Sequence, residues 1–111
     1  MPGKSPLKLT KAFNAVYRQG RWARGRLLSV GANPNGLAET RIGMRTRRGM
    51  KGAVRRNRLK RQMRTVLYGE RLPLEHGFDL VVVIHPPELT TDTAALKREM
   101  DTLCKRLRLL R

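Results

Sequence analysis

Acidic residues are scarce: the 111-residue chain has 8 Asp plus Glu against 25 Lys plus Arg, a formal charge of +17. A protein nuclease that holds its own metal ions needs clustered carboxylates, yet Glu39, Glu70, Glu75, Asp79, Glu88, Asp92, Glu99 and Asp101 are dispersed. No catalytic residue is therefore expected on the protein. Cysteine is nearly absent, and Cys104 alone excludes an internal disulfide framework and any multi-cysteine zinc cluster. His76 and His85 lack close ligand spacing, so no protein metal site is expected. The longest apolar run, Leu80 to Ile84, is far short of the roughly 20 residues of a membrane span, and Met1 to Thr10 has no apolar signal core. The expectation is a soluble, cytoplasmic protein with no membrane partner. Both glycine-rich nucleotide signatures, G-x-G-x-x-G and G-x-x-x-x-G-K-[ST], are missing, so no small-molecule substrate is expected.

What is present suffices for one core. An apolar fraction of 40% and this length predict a single folded domain over residues 1–111, with a basic excess suited to a polyanionic partner. Lys4 to Gly20 reads as a helix that Thr10 can cap, with Phe13, Val16 and Tyr17 on one side. Arg26 to Ala32 and Glu39 to Thr46 read as strands around the turn-rich Asn33-Pro34-Asn35-Gly36, which predicts a hairpin. Ala53 to Tyr68 should be helical, Phe78 to His85 the most buried strand, and Thr91 or Asp92 should cap a last helix bearing Leu96, Met100, Leu103, Leu107 and Leu110. The order describes an α+β fold, a small sheet packed with three helices.

The strongest functional signal is a block from Arg41 to Arg64 that contains Arg41, Arg45, Arg47, Arg48, Lys51, Arg55, Arg56, Arg58, Lys60, Arg61 and Arg64 and no acidic residue. Such a block repels itself unless a phosphate array supplies the countercharge. Arginine predominates, and its planar fork makes paired hydrogen bonds to phosphate and stacks on bases. In the helix, Leu59, Met63, Val66 and Leu67 form an apolar seam beside Asn57, Lys60, Arg61 and Arg64, with Arg56 at the border and Arg58 further round. That cationic flank is free to meet RNA.

Ala53-Val54-Arg55-Arg56-Asn57-Arg58-Leu59-Lys60-Arg61-Gln62-Met63-Arg64 resembles the Arg-Asn-Arg signature helix of the bacterial ribonuclease P protein subunit. The resemblance extends to Pro6-Leu7-Lys8 through Phe13, Tyr17 and Gly20, to Arg41-Ile42-Gly43-Met44, and to Gly77-Phe78-Asp79. It implies a fold like domain 2 of ribosomal protein S5, with a left-handed βαβ crossover. It also implies a partner role: the ribonuclease P RNA is the catalytic RNA, which removes the 5′ leader of precursor tRNA with Mg²⁺ bound mainly through that RNA. By position, Arg56, Asn57, Arg58, Lys60, Arg61 and Arg64, with Arg45, Arg47 and Arg48, would face RNA, while Phe13 and Tyr17 would line the cleft for the leader. This sequence departs from the family in having Lys51 where a glycine is usual, with Gly52 directly before Ala53. Gly31 stands where some members have an aromatic, which predicts fewer stacking surfaces in the cleft.

A ribosomal or other architectural RNA-binding protein would share the charge and core; the signature helix separates the two. An autonomous protein nuclease and a sequence-specific DNA-binding protein are weaker alternatives. Phe13 and Tyr17 could equally be core residues, and Trp22 could stack on a base or cover a sheet edge. Cys104 reads as a small buried hydrophobe.

Overall fold

The computed structural model describes residues 4–69, 72–87 and 91–111, so Glu70 and Glu88 of the dispersed carboxylates lie outside the described residues. The elements are β1 (Lys4–Pro6), α1 (Thr10–Gln19), β2 (Arg21–Arg24), β3 (Leu28–Pro34), β4 (Thr40–Thr46), α2 (Ala53–Arg64), a π-helical turn (Thr65–Gly69), β5 (Phe78–Ile84) and α3 (Thr93–Arg106). The five strands form one mixed sheet in the order β1-β4-β5-β3-β2. β4 runs parallel to β1 and β5, while β3 runs antiparallel to β5 and β2.

The expected hairpin is not formed. β3 and β4 never pair, because β5 lies between them and bonds to both. The physical reason is burial: Leu80, Val81, Val82 and Ile84 make β5 apolar on both faces, and only the sheet's centre is covered on both. The Asn33 to Gly36 turn instead pins onto the start of β5, with Asn35 N–H donating to Gly77 O and Asn35 Nδ2 to Asp79 Oδ1. The real hairpin joins β2 and β3, with Trp22 opposite Gly31.

Three helix boundaries also move. Residues Lys4–Pro6 extend β4's edge rather than beginning a helix, and α1 starts at Thr10 behind an extended Leu9, with no side-chain cap. α2 stops at Arg64 and a π-helical turn completes the segment to Gly69. α3 stops at Arg106, and Arg108 at φ 57° turns the chain so that Leu110 pairs with Leu74 rather than continuing the helix. Asp92 does cap α3, its carboxylate accepting from Ala94 N–H.

Strand alternation separates two apolar layers. On one face Leu28, Val30, Ile42, Leu80, Val82 and Ile84 pack under Leu59 and Met63 of α2 and Leu96, Met100 and Leu103 of α3. On the other, Val81 meets Phe13 and Val16 of α1 and Leu7. Each fully buried Leu, Val or Met contributes about 1.5–3 kcal/mol. Cys104 joins the larger layer, and burial, reinforced by Asp101 and opposed by Lys4, pushes its thiol up to about 12.

Glu99 of α3 fastens the β2–β3 hairpin. Its Oε2 accepts from Leu27 and Leu28 N–H, each at 2.6 Å, and its Oε1 from Arg26 N–H at 3.0 Å. Gly25 leaves room for that carboxylate, which a Cβ there would strike. Glu99→Ala should therefore cost about 1.5–3 kcal/mol in a urea unfolding titration, because buried amides lose a charged acceptor. A loss within experimental error would mean that water replaces the carboxylate.

Candidate nucleic-acid interface

α2 is preceded by Gly52, whose φ of 91° lies in the left-handed region that glycine adopts readily. This accounts for glycine standing immediately before Ala53. The first turn has no acidic residue and no side-chain cap, so Arg55 and Arg56 oppose the positive end of the helix dipole. Leu59, Met63, Val66 and Leu67 are buried, as their spacing predicts, while Asn57, Arg58, Arg61 and Arg64 are exposed and Lys60 is half-buried.

Not every cation of the block is available. Arg41 forms a two-pronged pair with Asp79, Nε to Oδ1 at 2.8 Å and Nη2 to Oδ2 at 2.7 Å, which raises the guanidinium's pKa further. Arg55 Nη2 donates to Pro86 O and Arg56 Nη1 to Met50 O, so Arg56 also braces the loop before α2. Arg47 and Arg48 are exposed at the β4 end of that loop.

On the opposite face of the sheet, α1 carries the aromatics. Phe13 is only 8% exposed, because the tip of its ring is seated against Gly43, where any Cβ would collide with it. The Arg45 guanidinium covers that ring at 4.5 Å from its centroid and reaches within 5.8 Å of Tyr17. Tyr17, 45% exposed, stacks on Trp22 with centroids 5.3 Å apart and planes inclined by 26°. Phe13, Arg45, Tyr17 and Trp22 thus form a continuous series in which Phe13 supports and Tyr17 is presented.

The aromatic surface expected to be lost at Gly31 is supplied by Trp22. The hairpin register sets Trp22 opposite Gly31, and a Cβ on Gly31 would strike the indole. Trp22 Nε1 donates to Val16 O at 3.3 Å, fixing the ring against α1. Beside Tyr17 and Trp22 opens a cleft of about 520 Å³, with Val83 on its floor, Arg24 and Arg47 as cations, and Ser29 Oγ 2.8 Å from His85 Nε2. No acidic side chain lines it.

The sequence reading grouped Arg45 and Arg47 with the α2 residues as RNA-facing and set Phe13 and Tyr17 apart in a leader cleft, whereas the structure brings Arg45 onto Phe13 and Tyr17 and lines the Tyr17–Trp22 cleft with Arg47. Sequence reasoning passed over Arg24, Ser29 and His85. Their signal was parity: residues 79, 81, 83 and 85 share a face of an extended strand, which puts His85 beside Val83 on the α1 side.

The ribonuclease P family model matches residues 1–108. The ribonuclease P protein component of Cyanothece sp. is 33% identical over 95% of this chain and 95% of its own length. That of Thermus thermophilus is 38% identical over 85% of this chain, which spans 54% of that longer protein. The ribonuclease P protein from Thermotoga maritima superposes with a TM-score of 0.80 at 25% identity, covering 92% of this chain and 96% of that one. With the signature helix, the α+β sheet order and these likenesses in agreement, the chain belongs to the ribonuclease P protein family, the protein component of that ribonucleoprotein endonuclease.

Proposed function

We propose that this protein binds the ribonuclease P RNA through α2 and the adjoining loop, and the single-stranded 5′ leader of precursor tRNA in the Tyr17–Trp22 cleft, assisting tRNA maturation in the cytoplasm. The observation that carries the reading is the exposed Tyr17–Trp22 stack, flanked by Arg24, Arg45 and Arg47 and lined by no carboxylate. Bases stack on an aromatic face whatever their identity, and the cations follow the backbone, so such a cleft accepts leaders of varied sequence.

Hydrolysis is assigned to the RNA subunit. The Mg²⁺ of the reaction is likewise assigned mainly to the RNA; among the described residues no three His, Cys, Asp or Glu side chains come together to hold a metal ion. The protein's part is electrostatic and positional: it lowers repulsion between two polyanions and holds one strand of the substrate.

Reconstitution tests this. At low Mg²⁺, the catalytic RNA should cleave precursor tRNA faster with the protein than without it, and the protein alone should cleave nothing. Unchanged turnover would overturn the assignment. Tyr17→Ala should weaken leader binding by about 1–3 kcal/mol, read as the affinity difference between precursor and mature tRNA. Its melting temperature should move little, since Tyr17 is 45% exposed and belongs to neither apolar layer.

A further inference from the structure

A groove at the open edge of the sheet lies apart from the Tyr17–Trp22 cleft. β1 ends at Pro6 opposite Ile42, and the pairing finishes with Leu7 N–H donating to Ile42 O at 2.9 Å. Ladder alternation turns the peptide groups of Met44, two residues on, towards that same side, where no described strand continues. The π-helical turn after α2 presents Tyr68, 42% exposed, although its neighbours Val66 and Leu67 are buried. Turns of this kind often mark functional positions. Between these elements lies a groove of about 440 Å³, with Pro6, Leu7, Met44 and the buried Phe13 as apolar walls and Lys60 and Arg64 reaching it from α2. Lys8 lines it too, and no acidic side chain does.

We propose that this groove is a pocket for one unpaired nucleotide of the ribonuclease P RNA. The base would lie against Tyr68 and the apolar walls, its polar edge towards the open peptide groups of β4, and its phosphates beside Lys8, Lys60 and Arg64. Each feature answers one part of a nucleotide. A nucleobase joins flat apolar faces to a hydrogen-bonding rim, and phosphate flanks it on both sides. An apolar peptide would leave the cations unmatched, and free phosphate would leave the apolar walls bare. The groove borders the Lys60 and Arg64 side of α2 at the β1–β4 edge, whereas the Tyr17–Trp22 cleft takes in β2 at the other edge. The occupant is therefore RNA-subunit sequence rather than leader, a choice that rests on the assignment of α2 given above.

Affinities of the wild type, Tyr68→Ala, Tyr68→Leu and Tyr68→Phe for the catalytic RNA and for a single-stranded leader oligonucleotide, at one salt concentration, test the pocket. Loss of the ring should weaken binding to the catalytic RNA roughly 5- to 150-fold in the alanine and leucine variants. Phenylalanine should retain wild-type affinity, and leader binding should be unchanged throughout. Leucine keeps apolar volume on the turn, so the comparison stands even if alanine unfolds it. Weakened leader binding instead would assign the groove to the substrate and overturn the proposal. Wild-type binding to the catalytic RNA that ignores the Tyr68 ring would remove the pocket alone. Failure of the wild type to bind that RNA would remove the α2 assignment and the pocket together.

Discussion

Between about 50 and 200 mM monovalent salt, affinity for the ribonuclease P RNA should fall about 10³- to 10⁵-fold, the response expected when about 6 to 10 phosphates are neutralised. The surface accounts for such a number. Arg47, Arg48, Lys51, Arg58, Arg61 and Arg64 are exposed, and Lys60 is half-exposed beside them. Arg41 is excluded, since Asp79 already neutralises it. Arg55 and Arg56 contribute less freely, each holding a backbone carbonyl. Titrating the complex over that salt range gives the slope of log affinity against log salt, and Arg61→Ala should reduce its magnitude by about 0.7–0.9, one phosphate contact. A flat response would show that the cations are a solvated face with no phosphate array upon it.

Asp79→Ala should be among the most destabilising single changes, costing about 3 kcal/mol in denaturant unfolding. Asp79 is 5% exposed at the start of β5, and its carboxylate accepts from Arg41 on β4 and from Asn35 in the loop after β3. Removing it strands the Arg41 guanidinium and takes one of two acceptors from the Asn35 amide, which keeps Glu39 O, at the junction of three segments. Arg41 keeps partial contact with water, which places the effect at the lower end of that known for breaking buried pairs, about 3–5 kcal/mol. A cost below about 1 kcal/mol would mean that solvent screens the pair as at an open surface. Arg41→Met with Asp79→Leu should recover much of the loss, since an apolar pair leaves no charge unpaired.

These two predictions concern arginines from one stretch of sequence with opposite fates. Arg41 and Arg45 are four residues apart on β4 and point to the same face, yet one is neutralised by a carboxylate and the other lies over aromatic rings. Nothing local distinguishes them. The difference comes from β5, which brings Asp79 opposite Arg41 in the parallel register, and from α1, which brings Phe13 and Tyr17 beside Arg45. The same holds for Trp22, whose part in the cleft follows from facing Gly31 across a hairpin that residue patterning alone placed elsewhere.

Read alone, the chain already determined the seam and cationic flank of α2, the buried β5, a cap at Thr91 or Asp92, the buried Cys104 and, by its signature, the family. Each depends on residues within a few turns or a single strand, where periodicity and propensity act directly. Only the tertiary structure decided which strands are neighbours, which cations stay free and which aromatic side chain faces the cleft. Those outcomes depend on contacts between residues far apart in sequence, selected by burial of the whole apolar surface, and no short window of the chain contains that information.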